Sequence, residues 1–189
     1  IDSLFGGGYA GEVLNQTNIE ISAGTINKSL YGGGYEGDVE LVDIELNGGI
    51  IHESVYGGGF AGDVNDSVRV LEKGTTIEGS LYGGGYEGNI LNKAEVIVNK
   101  GTINENIYGG GYAGTANQTS VTVEETDYNQ IQIGKNVFGG GKGVSASVYD
   151  STNVLINLLL DFSVVEEKIL VGEETPSGES KLDITINSS

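Results

Sequence analysis

Residues 29–37 read SLYGGGYEG, and the chain says nearly the same thing six times. The other copies are SLFGGGYAG (3–11), SVYGGGFAG (54–62), SLYGGGYEG (80–88), NIYGGGYAG (106–114) and NVFGGGKG (136–143). The triplets start at Gly6, Gly32, Gly57, Gly83, Gly109 and Gly139, in steps of 26, 25, 26, 26 and 30 residues. A fixed period in this range marks a solenoid or array. Of the 33 glycines, 24 belong to this one motif, so the glycine is placed rather than scattered.

Outward from the triplet the similarity continues. Ile26, Ile51, Ile77, Ile103 and Ile133 each stand four residues before the aliphatic Leu30, Val55, Leu81, Ile107 and Val137. Between triplets lies an alternating stretch carrying Ile19/Ile21, Ile44/Leu46, Val68/Val70, Val96/Val98, Val121/Val123 and Val154/Ile156. Apolar-polar alternation of β-branched residues signals a half-buried strand, and no repeat shows helical spacing. A unit of about 26 residues cannot bury its own apolar face, so neighbours must stack. The expected fold is all-β: a right-handed parallel β-solenoid with coils of about 26 residues, rungs ~4.8 Å apart and Leu4, Leu30, Val55, Leu81, Ile107 and Val137 as one inner ladder. Leucine-rich repeats need L-x-x-L-x-L-x-x-N, which is absent, and a propeller blade needs roughly 40 or more residues.

Composition excludes several classes. One proline rules out collagen, and the lack of cysteine rules out a disulfide scaffold. No run of about 18 apolar residues exists for direct membrane insertion. With 27 Asp and Glu against 9 Lys and Arg, the formal charge of −18 excludes nucleic acid as a natural partner.

The tempting motifs are weak. GGGYAG at 6–11 matches G-x-G-x-x-G, but a strand follows it rather than a helix. Glycine is expected there for positive φ and close backbone approach at a crowded corner. GGGKG at 139–143 lacks the Ser or Thr of a phosphate-binding loop. No cofactor is expected. Asp38 and Asp63, with Glu12, Asn89 and Thr115 in equivalent slots, raise Ca2+ as a weak possibility, though calcium wants six to eight converging oxygens. His52 shares its slot with Asn27, Glu78, Asn104 and Gly134, which reads as an exposed polar position, and no other histidine exists to build a zinc site. Ser29, Ser54 and Ser80 share a corner column with Asn106 and Asn136, as turn chemistry requires, so no serine stands out as a nucleophile. The sequons at Asn15, Asn65 and Asn117 read as turn asparagines followed by strand Thr or Ser. No catalytic or metal-binding residue is assigned.

The informative chemistry is aromatic. Phe5, Tyr31, Tyr56, Tyr82, Tyr108 and Phe138 precede the triplets, while Tyr9, Tyr35, Phe60, Tyr86 and Tyr112 follow them. By strict alternation an inward aliphatic residue turns its aromatic neighbour outward. Two readings follow: the rings stack structurally and shield the bare glycines, or Tyr9, Tyr35, Phe60, Tyr86 and Tyr112 form a binding platform for a glycan or a surface protein. The long fifth step adds a loop, EETDYNQ at 124–130, as a second candidate contact.

Repeats of the type (V/L)YGGGYxGxV, then a strand, then G-T-I, resemble the glycine-rich repeats of bacterial adhesin-like cell-surface proteins. The resemblance covers Ser3 to about Ser147 and carries over no binding residues. It implies an extracellular β-solenoid at a bacterial cell surface, one section of a long exported chain. Residues 1–149 are expected to form the six-triplet solenoid, and 150–189 a C-terminal cap or the start of a neighbouring domain, since solenoid ends need capping. The chain opens in mid-pattern and is read as part of a longer one. The functional expectation is a non-enzymatic structural or adhesive section. The alternative is a carbohydrate-active β-helix enzyme, a polysaccharide lyase or hydrolase, for which no pair of carboxylates stands out.

Overall fold

The computed structural model describes residues 1–125, 130–158, 169–170 and 181–188. They form a parallel β-solenoid without helix. Each coil contributes a two-residue strand to one sheet and a long strand to another.

The short sheet stacks Leu4–Phe5, Leu30–Tyr31, Val55–Tyr56, Leu81–Tyr82, Ile107–Tyr108, Val137–Phe138 and Ile169–Leu170 in that order, all parallel. Aliphatic pairs with aliphatic and aromatic with aromatic from Leu4 to Phe138, as the repeat predicts. The long sheet runs through Val13–Ile21, Val39–Leu46, Val68–Ile77, Ile90–Ile103, Ala116–Glu124, Val148–Leu158 and Lys181–Ser188. Alternation sends one set of its side chains into a dry interior, where Ile44, Val70, Val96, Val121 and Val154 form a fully buried ladder. Ile26, Ile51, Ile77, Ile103 and Ile133 complete this interior at the next corner.

The glycine corner has one physical cause. A Cβ built on Gly32, Gly57, Gly83 or Gly109 would lie under 3.0 Å from the carbonyl oxygen of the matching glycine one coil on. At the second position, a Cβ on Gly33, Gly58 or Gly84 would strike backbone atoms of the next triplet. Close approach of coils, and not positive φ, therefore requires the triplets. Among the described residues, the left-handed glycines are Gly24, Gly49, Gly74 and Gly101, at the opposite corner. The sense of hydrogen bonding also reverses across the triplet. Gly6 and Gly7 donate forward to Tyr31 and Gly33, whereas Tyr35 and Glu36 donate back to Gly8 and Tyr9.

One register differs from the sequence reading. Ile44 pairs with Val70, not Val68, and Leu46 pairs with Glu72. A carboxylate thus occupies an interior position in the third coil, where its neighbours carry Leu46 and Val98. The boundary expected between 149 and 150 falls inside Val148–Leu158. That strand pairs with Ala116–Glu124 from Ala116↔Val148 to Glu124↔Asn157, so the ladder runs through it. Ile169–Leu170 and Lys181–Ser188 add one further strand to each sheet. The rest of 159–189, including the Pro176 loop, and residues 126–129 of the EETDYNQ loop lie outside the described residues.

Candidate functional site

The two-residue strands turn one side chain inward and the next outward. Leu81 points into the aliphatic interior and is fully buried, so Tyr82 must leave on the other side. It does not reach solvent there, being only 2% exposed. The inner rings form a column of their own, separate from the aliphatic core. Phe5–Tyr31, Tyr56–Tyr82, Tyr82–Tyr108 and Tyr108–Phe138 stack at 4.8 Å between centroids, and Tyr31–Tyr56 at 5.0 Å.

The platform residues Tyr9, Tyr35, Phe60, Tyr86 and Tyr112 build a second column over the first. Their centroids lie 5.0, 4.8, 5.0 and 4.7 Å apart, with planes within 12°. The first four inner rings meet the outer ring of the following coil edge to face: Phe5 with Tyr35 and Tyr31 with Phe60 at 5.7 Å, Tyr56 with Tyr86 at 5.6 Å, Tyr82 with Tyr112 at 6.2 Å. The Lys142 ammonium sits 4.9 Å over the Tyr112 ring and closes the outer column, where its coil has no aromatic.

This geometry decides what the outer column can offer. Ring faces within the ladder are consumed by one another. Tyr35, Phe60, Tyr86 and Tyr112 are half-buried, and three of the four carry a hydroxyl. Tyr9, 73% exposed, begins the stack and has a ring on one face only. The ladder suits contacts to ring edges along its length, and stacking on a ring face at Tyr9 alone.

Burial raises the hydroxyl pKa of Tyr31, Tyr56, Tyr82 and Tyr108 above that of an ordinary phenol. Hydrogen bonds to Ser29, Ser54 and Ser80 oppose the shift at the first three. The same serines build a polar ladder at the corner. Ser54 N–H donates to Ser29 Oγ, Ser80 N–H to Ser54 Oγ, Asn106 N–H to Ser80 Oγ and Asn136 N–H to Asn106 Oδ1. The column is structural, as its turn chemistry suggested.

The calcium slots are engaged similarly. Asp63 N–H donates to Asp38 Oδ1 at 2.9 Å, Asn89 N–H and Nδ2 donate to Asp63 Oδ1, and Thr115 N–H and Oγ1 donate to Asn89 Oδ1. These oxygens cap the amides of the next coil and do not converge on one point. Among the described residues, no group of three or more His, Asp or Glu side chains is arranged to hold a metal ion. His52 is exposed and bonds Glu78 one coil on, Nδ1 to Oε2 at 2.8 Å.

Two side-chain roles were not evident in the sequence. Thr17 and Thr119, the third residues of two sequons, are buried and donate to the carbonyls of Gly32 and Gly139 at 2.9 and 2.7 Å. Their hydroxyls tie the long sheet to the glycine corner. Glu72 is fully buried; its Oε1 accepts from Gly74 N–H at 2.7 Å and from Thr75 N–H, while Oε2 has no partner. Burial raises its pKa to about 8 despite those two bonds. A repeat-to-repeat alignment by register, rather than by triplet, would have exposed this residue.

On the outer face of the long sheet, Gln16, Asp43, Arg69, Lys93 and Glu95 line a shallow groove. Arg69 bonds Asp43 at 2.5 Å and reaches Glu45 at 3.7 Å, and Lys93 pairs with Glu95 at 2.5 Å. These carboxylates are held by cations, each about a third exposed. No protein family, curated protein or solved structure matches this chain.

Proposed function

We propose that the chain is a non-catalytic structural section of a bacterial cell-surface protein, a stiff rod that presents a repeated surface for attachment to a glycan or to another surface protein. The observation that carries this reading is the outer aromatic column, a ribbon of stacked, half-buried rings mounted on continuous hydrogen-bonded ladders. A rod whose coils are paired through both sheets has few places to open locally, which suits life outside the cell. Its −18 charge favours solubility and disfavours polyanionic ligands. The attachment surface runs from Tyr9 through Tyr35, Phe60 and Tyr86 to Tyr112.

Arrays of glycans and of surface proteins, probed with the wild-type chain and a Tyr35→Ala/Tyr86→Ala variant, test the reading. Binding by the wild type that disappears in the variant, with the far-UV circular dichroism of the two unchanged, is the expected outcome. Binding that survives the double substitution removes the ribbon from the interface. Release of shortened oligosaccharides from an arrayed glycan would favour the carbohydrate-active enzyme instead.

A further inference from the structure

The outer ring column is not uniform. Tyr9 stacks on Tyr35 and Tyr86 on Tyr112, while Phe60 stands between the two pairs. Because Phe60 has no hydroxyl, the column holds its phenols as two separate pairs. In each pair the rings come from consecutive coils and lie nearly parallel. Tyr9 and Tyr35 are 5.0 Å apart at 7°, and Tyr86 and Tyr112 are 4.7 Å apart at 12°. These separations match the ~4.8 Å rung of a β-sheet, so one ring repeats the other a single rung along the rod. Equivalent carbons, including those ortho to the hydroxyls, therefore face each other across that rung.

The inner column offers the same spacing without the same freedom. Tyr56, Tyr82 and Tyr108 are buried, each with a ring against both faces. Burial raises their hydroxyl pKa, which opposes release of the proton that leaves when a phenol is oxidised. Outer rings also roof Tyr31, Tyr56 and Tyr82, so these rings have no room to turn toward one another. Tyr35, Tyr86 and Tyr112 are only half-buried. Tyr112 stands 6.2 Å from Tyr82 beneath it, against 5.6–5.7 Å at the other edge contacts.

We propose that Tyr86–Tyr112 and Tyr9–Tyr35 are oxidative cross-linking sites, at which a peroxidase-class oxidant joins neighbouring coils through dityrosine. Hydrogen peroxide, acting through the oxidant, takes one electron and the hydroxyl proton from each phenol. The two phenoxyl radicals join through ortho carbons, forming one C–C bond. The two ring hydrogens at that bond leave their carbons as protons and both hydroxyls are restored. Two phenols and one peroxide thus give one biphenol and two waters. The chain has no cysteine. Each link closes a loop of one coil and constrains the unfolded chain as a disulfide does. The inference rests on ring geometry and stands whether or not the aromatic ribbon binds a glycan.

A haem peroxidase with limiting hydrogen peroxide, acting on the dilute 189-residue chain, tests it. The monomer should gain dityrosine fluorescence and lose two hydrogens per link by mass spectrometry. Cleavage at lysine separates the partners, since Lys28 lies between Tyr9 and Tyr35, and Lys93 and Lys100 between Tyr86 and Tyr112. Linked peptides should carry these two pairs. Tyr86→Phe should abolish one link and Tyr35→Phe the other, with both stacks kept. The double variant should lose the dityrosine fluorescence of the monomer. Phe60→Tyr should add links at position 60; a variant that adds none means that stacking does not direct the coupling, and overturns the proposal. Links among the inner rings, or dityrosine that survives the double variant, also overturn it. So does oxidation confined to Tyr149, which is 67% exposed and stands outside both columns, or coupling only between chains.

Discussion

Leu81 and Tyr82 are neighbours on one two-residue strand, yet they belong to different interiors. Leu81 enters an aliphatic core closed on all sides by backbone. Tyr82 enters an aromatic core that has backbone on one side and only other rings on the other. The aliphatic core is the product of alternation and would form in many β-solenoids. The aromatic core exists because the three residues after each inner ring have no side chains, so the outer column can fold back over bare main chain. The first core needs hydrophobic volume, and the second needs emptiness beside it.

The sharpest way to break this pairing is to fill the emptiness. A Cβ at Gly58 would lie under 3.0 Å from Gly85 N, Gly85 Cα and the Ile90 side chain, so Gly58→Ala should disturb both cores together. The expected loss exceeds about 4 kcal/mol, measured by urea unfolding. An effect below about 1 kcal/mol would show that the corner can open without cost. Next in size, Tyr82→Ala should cost about 3–5 kcal/mol and Leu81→Ala about 2–5 kcal/mol. Tyr82→Leu separates the two kinds of interior. It keeps an apolar side chain but removes two stacked contacts and one edge contact, each worth about 0.5–1.5 kcal/mol. A neutral Tyr82→Leu would reduce the aromatic core to ordinary burial.

Much of this comparison was legible in the repeat. The aliphatic ladder could be named residue by residue, because Leu4 to Val137 keep one place relative to the triplet. The two aromatic columns were equally plain, but the roofing of one by the other was not. Period-2 alternation says that Tyr82 leaves the core and is silent about what meets it outside. Glu72 was missed for a different reason. The step from Gly32 to Gly57 is 25 residues, while the long strands advance by 26 from Ile44 to Val70. Reading by eye therefore placed Val68 and Val70 inside and left the acid out. Thr17 and Thr119 were hidden by the sequon, which draws attention to the asparagine.

Glu72 gives the aliphatic core a pH dependence that the aromatic core lacks near neutrality. Its folded pKa of about 8 lies above the unfolded 4.5, so the folded state holds the extra proton between them. Its contribution is full below about pH 4.5 and is lost as pH rises to about 8, so Tm should fall across that window. Glu72→Gln should flatten the slope; an unchanged slope would assign it to other carboxylates. The buried tyrosines act later, since their raised pKa values favour the folded state until the unfolded phenols ionise near pH ~10, after which stability falls. The smallest effect is expected at the rim. Tyr9, 73% exposed and stacked on one side, should cost under about 1 kcal/mol when changed to Ala. A larger loss would mean that the ladder is cooperative along its length.

The spacing of the rings also has an optical consequence. Eight of the ten tyrosines stand in the two columns, and the chain contains no tryptophan. Parallel chromophores 4.7–5.0 Å apart, held within 12° of one another, share their electronic transitions. The near-ultraviolet dichroism of the protein is therefore dominated by the two stacked columns, recorded without interference from indole. It reports the state of the aromatic core independently of the backbone, so the order in which the two interiors melt can be followed by light, with no label attached.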